Sequence, residues 1–474
     1  MPYVTPSLNL LTLDQIHQVH KQSLEILSTT GIRVDSARAI NLFAKSSCRI
    51  ENNNQVFIGK DIITWALSAA PSSVDVYNRS GGLRFTLGGE SKNSTRFGIG
   101  VTNLHFQDPI TDKVEPFNFE HMKKAVRLGH VLEQFDVIST PGIAQDLSPD
   151  SADLYSSLAM IANTTKPLVL LVSEYNCFEP VLDMLETLQG DLSQNPFVIP
   201  YFNPITPLVL NEDTVDKIMA TVQRGMPFIY SNYGMSGATT PITPGATLAL
   251  LNAELIAGIV FSQIVREGTP VIAGSLPAGF DMKNMMSVYT PHTMLLNLGC
   301  AEIMSHYNIP HSGTSGSGPG WGPDLISGGA FWMNHLTSII GKVGLAPFVG
   351  GNFDSLAFSP AAVVYANEVI RQSRIFAQGF SIDADHVDTG EIKTMGSAGN
   401  YLAAPSTGKR FRDFRFENSV WPEYTMDQWQ SNQCPQAEEL LREHTRQLLV
   451  DAMPPEDHDD LMEKGKRVIS GLNI

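Results

Sequence analysis

Between residues 95 and 380 the chain alternates short, nearly pure apolar runs with longer stretches whose apolar residues recur every three or four positions. A short apolar run bounded by turn formers reads as a strand buried on both faces, and the longer recurrence reads as an amphipathic helix. The strands expected on this basis are Arg96–Asn103, Asp136–Thr140, Leu168–Ser173, Phe197–Phe202, Phe228–Ser231, Pro270–Gly274, Ile309–Thr314 and Gly344–Gly350. Helical patterns lie between them, among them Glu120–Leu132, Ala152–Asn163, Asn211–Arg224, Gly245–Arg266, His292–Tyr307 and Pro360–Gln378. Several carry clear punctuation, with Ser151 and Thr290-Pro291 in front and Gly225, Gly268 and Gly379 behind. Eight strand-then-helix units over about 285 residues predict an α/β fold, a (β/α)8 TIM barrel, with an open doubly wound sheet as the alternative.

Residues 1–94 read as an N-terminal extension, with helices at Asp14–Thr29 and Ser36–Ser46 and short strands at Val74–Tyr77 and Leu83–Leu87. Residues 95–380 are the catalytic barrel, and 381–474 a C-terminal extension with a charged helix near Gln436–Asp451. At 474 residues, 43% hydrophobic and 17% charged, the chain can bury a large core, and the low charged fraction suggests a homo-oligomer. The net charge of −16 argues against nucleic acid and anionic membranes, which need clustered Lys and Arg. Four scattered cysteines without a CxxC pair fit a reducing cytoplasm and give no support to a thiolate metal site. The start of the chain lacks a signal-peptide pattern. The most apolar segment, Thr247–Val265, contains Asn252, Glu254 and Gln263, and reads as a buried helix rather than a membrane span.

A barrel of this kind carries its chemistry at the carboxyl ends of the strands. The loop after strand seven reads HSGTSGSGPGWGPD (His311–Asp324). It is no phosphate loop, since Gly322 is followed by Pro323 and Asp324 and not by Lys-Ser/Thr, and the GxGxxG spacing is wrong for a dinucleotide. A flexible surface loop is the bland reading of such a stretch. The other strand ends hold no lysine for a Schiff base. His105, His311 and Asp354 do not follow a recognised ligand spacing, so no metal is expected. Glu174 has no partner carboxylate in sequence, and structural hydrogen bonding is its better reading. The ends are instead rich in amides and aromatics: Asn103, Asn203, Asn232, Asn352, Tyr201, Tyr233, Trp321 and Phe353. Each aromatic alone is more often core than cage. Grouped, they suit a poorly hydrated organic cation held by cation–π attraction.

Several runs carry a resemblance that goes further: FGIGVTNLHFQDPITDKVEPFNFEHMKKAVRLGHVLEQFDVIST (Phe97–Thr140), NTTKPLVLLVSE (Asn163–Glu174), PFVIPYFNPITPL (Pro196–Leu208), PFIYSNYGMSGATTPITPGATLALLNAELIAG (Pro227–Gly258) and GTPVIAGSLPAGFDM (Gly268–Met282). They resemble the trimethylamine methyltransferase family. The resemblance implies a barrel that moves a methyl group from a methylamine to the Co(I) corrinoid (a cobamide) of a cognate corrinoid protein, with no cofactor bound permanently. Trimethylamine enzymes of that family carry pyrrolysine in the loop after strand seven. The matching place here falls within Gly318–Trp321, which holds neither pyrrolysine nor lysine. That departure points to the non-pyrrolysine branch and to a quaternary amine, glycine betaine first among them. Near the C-terminus Asn400–Thr407 stands where many relatives place histidines. On this reading Asn103, Asn203, Tyr233, His311, Trp321, Asn352 and Phe353 bind substrate, with His311 or the glycine-rich backbone taking a substrate carboxylate. Gly316, Gly318 and Gly320 leave room for the corrin ring to approach. The rival readings are a metal-dependent barrel lyase or hydrolase using Glu174 or His311, and a non-catalytic quaternary-amine binding protein.

Overall fold

The computed structural model describes residues 3–91, 94–382 and 389–472. Its central sheet runs, in spatial order, Met286–Val288, Val271–Asp281, Phe228–Ser236, Val198–Phe202, Leu168–Leu170, Val137–Ser139, Arg96–Ile99 and Leu345–Val349. All neighbours are parallel except Met286–Val288, which folds back antiparallel on Val271–Asp281. Helices separate successive parallel strands, and the last strand in sequence lies beside the first, so the sheet curls round on itself. The outcome is an α/β fold with a curled mixed sheet.

The seventh expected strand, Ile309–Thr314, is not a regular strand. It contributes two isolated parallel bridges, His311 to Ala273 and Ser312 to Leu345. The Ala273 amide donates to the Pro310 carbonyl at 2.9 Å, and the Leu345 amide to the His311 carbonyl at 2.9 Å. Glycines on the flanking strands permit this approach. A Cβ on Gly274 would lie 1.5 Å from the Ser312 carbonyl oxygen, and one on Gly344 2.5 Å from that of His311.

Two strands run further than their sequence suggests. The expected ends at Ser231 and Gly274 give way to a ladder continuing from Phe228–Val271 to Ser236–Gly279. Gly234 and Pro277 sit opposite each other in it. Proline reads as a strand stop, but it is tolerated where the strand has a free side that needs no donor. The ribbon therefore rises past the carboxyl edge of the sheet and forms a wall over it.

Inside the curl, Val137, Val169, Ile199, Ile229, Ile272 and Leu345 form one apolar cluster with Val74, Val76, Phe85 and Leu87. The last four belong to a hairpin of Ser73–Tyr77 with Leu83–Gly88. Its end docks just before the strands begin: the Tyr77 amide donates to the Pro196 carbonyl at 3.0 Å, and the Arg79 amide to that of Thr165 at 2.9 Å. The hairpin plugs the amino end and leaves the carboxyl end as the approach to the interior.

The Pro244–Val265 helix is long and apolar enough to cross a membrane, yet it is buried from Leu251 through Gln263. The Leu13–Glu25 and Lys60–Ala69 helices pack over it. Near the other terminus the His458–Gly471 helix seats Gly465 on Leu158 of the Pro149–Asn163 helix, where a Cβ would come within 2.1 Å.

Candidate active site at the carboxyl ends of the strands

After Leu345–Val349 the chain makes an unusual turn. Phe353, Asp354 and Ser355 are successive non-glycine residues at φ 52°, 50° and 79°. Left-handed residues of this kind cost on the order of 1–3 kcal/mol each unless their surroundings hold them. Here the glycine-rich stretch does so. The Phe353 amide donates to the Gly320 carbonyl at 3.0 Å, and the Asp354 amide to that of Gly318 at 3.1 Å. The Gly350 amide donates to Gly316 at 3.0 Å, and the Asn103 side-chain amide to the Ser355 carbonyl at 2.6 Å. The Ser355 and Ser317 hydroxyls also meet.

The turn places Asp354 beside Tyr289. Its Oδ1 is buried and has no hydrogen-bond partner. Burial pushes the carboxyl up to about 6, against a smaller opposing pull from the Tyr289 backbone amide. The Tyr289 hydroxyl lies beside Tyr233 and Ser355, and burial, then the neighbouring Tyr233, push it far above the usual tyrosine range. Deeper in, Tyr201 packs edge-on against Phe348 at 5.0 Å between ring centroids. Its hydroxyl is pushed up to about 12 by burial, and it accepts from Asn203 Nδ2 at 3.4 Å. Ser231 Oγ, buried next to that hydroxyl, makes no hydrogen bond of ordinary geometry. Aromatic faces, neutral dipoles and one carboxyl therefore share this end of the sheet.

The residues singled out from sequence divide into several groups. Tyr233 and Asn203 lie in the cluster, Tyr233 within the ribbon opposite Leu276 and not in a loop. Asn103 supports the turn and keeps a buried, unpartnered Oδ1. Asn352 is spent on structure: it donates to Gln107 Oε1 at 2.7 Å and accepts from Ser327 Oγ at 3.2 Å. Phe353 is half-buried in the turn, while Trp321 is 65% exposed. The structure does not bring His311 to this cluster. It pairs with Ala273 and lines a small cavity with Ser72, Ala301, Ser305 and Lys342, at the amino end. Both its ring nitrogens lack partners, and burial pushes it down to about 3. Its side chain follows Ala273 toward the helix layer, away from the interior. Glu174 is exposed, and Asn232 donates outward to Glu254 Oε2 at 2.7 Å. Among the described residues His105, His311 and Asp354 do not form a ligand trio.

The glycines behave differently from the expectation of open space. A Cβ on Gly316 would meet the Phe348 carbonyl oxygen at 2.0 Å, and one on Gly320 the Ser327 hydroxyl at 1.7 Å. On Gly318 the nearest atoms, at 3.7 Å, belong to the Leu325–Ile340 helix. All three are adjacent to the protein's own atoms.

Sequence reasoning passed over Tyr289 and Ser355 and weighed Asp354 only as a metal ligand. The sole signal for Tyr289 was its place just ahead of the Thr290-Pro291 helix start, which says nothing about where its side chain points.

A family model described as trimethylamine methyltransferase matches residues 2–467. Trimethylamine methyltransferase MttB of Desulfitobacterium hafniense (strain DSM 10664 / DCB-2) is 26% identical over 404 residues, 84% of this chain and 81% of its own length. The glycine betaine methyltransferase of Desulfitobacterium hafniense (strain Y51) is 23% identical over 462 residues, 96% and 95% of the two chains. A crystal structure of the Methanosarcina barkeri monomethylamine methyltransferase aligns with a TM-score of 0.49 at 10% identity, over 97% of this chain and 93% of that one.

Proposed function

Because the chain belongs to the trimethylamine methyltransferase family, we propose that it moves a methyl group from a quaternary amine to the Co(I) corrinoid of a separate partner protein. The curled sheet is read as a (β/α)8 barrel closed through His311–Ser312, with its site at the carboxyl mouth.

The observation that carries the substrate reading is the loop Gly318-Pro-Gly-Trp321, which holds no lysine. A neutral tertiary amine is a poor methyl donor, because its leaving group would be an amide anion. It must first gain positive character by protonation or covalent capture, and this loop offers no group for capture. A quaternary ammonium already carries the charge and departs as a neutral amine, so positioning is the main requirement on the protein. The residues at the mouth suit that task. Tyr201, Tyr233 and Tyr289 present aromatic faces to a soft cation, and Asn203 adds an amide dipole.

The partner's corrinoid, as methyl acceptor, supplies the nucleophile. Gly316 and Gly320 do not clear space for it, since the chain's own atoms occupy that space, whereas Gly318 would take a Cβ without a clash. What fits a large flat partner is the rim: Ile242, Met282, Met285, Trp321 and Leu356, on loops following the strands and at the ribbon's end, and Leu325, at the start of its helix, are all more than half exposed. An apolar rim of this kind marks an interaction face.

The test is a methyl-transfer assay with cob(I)alamin as acceptor and a panel of glycine betaine, choline, tetramethylammonium and trimethylamine, read by the corrinoid's absorbance. Turnover with at least one quaternary amine and none with trimethylamine is expected. Turnover with trimethylamine alone would overturn the reading.

A further inference from the structure

The sequence-based expectation named a zwitterion, glycine betaine, as first substrate, with His311 as a partner for its carboxylate. The structure turns His311 outward to the helix layer, away from the mouth cluster. What it places at the mouth is a carboxylate. We propose that Asp354 selects a quaternary ammonium whose tail is uncharged, of the choline or tetramethylammonium kind, over a zwitterionic betaine. This rests on the quaternary-amine reading above.

The geometry is specific. Asp354 Oδ1 is buried without a partner. Three consecutive left-handed residues hold it there, fastened by backbone bonds to Gly318 and Gly320. Its carboxyl is pulled on by the Tyr289 backbone amide, and the Tyr289 hydroxyl in turn lies beside Tyr233 and Ser355, none of them a cation. Among the described residues, the lysines and arginines near this end of the sheet are engaged or distant. Lys217 is buried and donates to the Val172 and Ser173 carbonyls at 3.0 and 3.2 Å and to Asp213 at 2.9 Å. Arg442 binds Asp112 and Glu438. Lys283 sits on the exposed tip of the ribbon.

A buried carboxylate without a paired cation is costly, and a cationic ligand offsets that cost. A betaine brings the same cation, but with a second carboxylate one or a few bonds away. In a partly buried site, like charges this close disfavour binding by roughly tenfold or more. The substrate nitrogen loses its charge as the methyl group leaves, so Asp354 holds the ground state more than the transition state. Its removal should therefore raise KM while leaving kcat unchanged or higher. A merely structural role would lower kcat instead. Below about pH 6 the Asp354 carboxyl gains a proton, so the preference is full at pH 8 and fades by pH 5.

The experiment is calorimetric titration of the whole protein with tetramethylammonium, choline and glycine betaine at pH 8 and pH 5, on the wild type, Asp354→Asn and Asp354→Glu. The two cations should bind the wild type at least about tenfold tighter than the betaine at pH 8. That margin should collapse in Asp354→Asn and persist in Asp354→Glu at pH 8, and it should shrink at pH 5 in the wild type and Asp354→Glu but not change with pH in Asp354→Asn. Equal or tighter betaine binding at pH 8, an unchanged margin in Asp354→Asn, or no binding of either cation would overturn the proposal. Cation binding through Asp354 without corrinoid methylation by any quaternary amine would remove the methyl-transfer reading and leave this one standing.

Discussion

The two ends of the curled sheet are built on opposite principles. At the amino end, Val137, Val169, Ile199, Ile229 and Ile272 meet the Val74–Leu87 hairpin in an apolar plug. Left-handed non-glycine residues there, Asn308 and Lys342, are single residues that end helices. At the carboxyl end the same inward-facing positions turn to Tyr201, Asn203, Ser231 and Tyr233, and three left-handed residues stand in a row with an orphaned carboxyl oxygen. One end gains stability from burial. The other holds strain and desolvated polar groups, which a folded protein retains where a ligand will satisfy them. The comparison separates stability from selectivity and can be tested residue by residue.

The largest effect should come from the plug. Phe85 is 4% exposed, and the Arg96 guanidinium lies over its ring at 5.2 Å. Phe85→Ala should cost about 3–5 kcal/mol in urea unfolding while the ranking of amine ligands stays the same. A changed ranking would mean that the two ends are coupled.

The glycines come next. Gly316→Ala forces a Cβ against the Phe348 carbonyl oxygen at 2.0 Å and should destabilise by about 1–3 kcal/mol. Gly318→Ala, with 3.7 Å of clearance, should stay within about 0.5 kcal/mol. If both substitutions left stability alone but abolished methyl transfer to the corrinoid, the loop's glycines would serve the partner after all.

Replacing Tyr233 by Leu keeps most of the bulk and removes the π-face. Affinity for tetramethylammonium should fall by about 0.5–2 kcal/mol, measured by titration. The same change at Trp321, which is 65% exposed, should matter less unless the partner is present.

The smallest effect is one of sign. The folded value for Asp354, about 6, lies above its ordinary 3.8, so the charged form is the disfavoured one. The wild type loses stability as pH rises from about 4 through 6, and the full penalty remains above that. Asp354→Asn carries no such charge, and asparagine tolerates left-handed backbone. Its melting temperature at pH 8 should exceed the wild type's, and the difference should vanish below pH 4. A variant that melts lower at pH 8 would make Asp354 a structural residue.

Most of the strands and helices were legible in the sequence, since burial on both faces forces continuous apolar runs such as VIPYF and helices keep their apolar stripe. The irregular places were not. Strand seven could be located, but the direction of His311 could not, because inward and outward alternate by one residue and two isolated bridges set the register only in the folded chain. The ribbon beyond Ser231 and Gly274 was hidden behind Pro277, which stops a central strand and not a free edge.

By itself, then, the sequence determined the layered α/β plan, two short strands before residue 95, and strand ends poor in charge and rich in amides and aromatics, because each follows from local composition and periodicity. Tertiary structure alone decided which of those groups meet. A glycine in the sequence is silent on whether the space beside it is open or filled, and only the Phe348 carbonyl next to Gly316 answers that. An aspartate is equally silent on whether water reaches it. Desolvation depends on residues far apart in sequence, and it is the fold that buries Oδ1 of Asp354, one acid among 48 Asp and Glu residues, beside Tyr289.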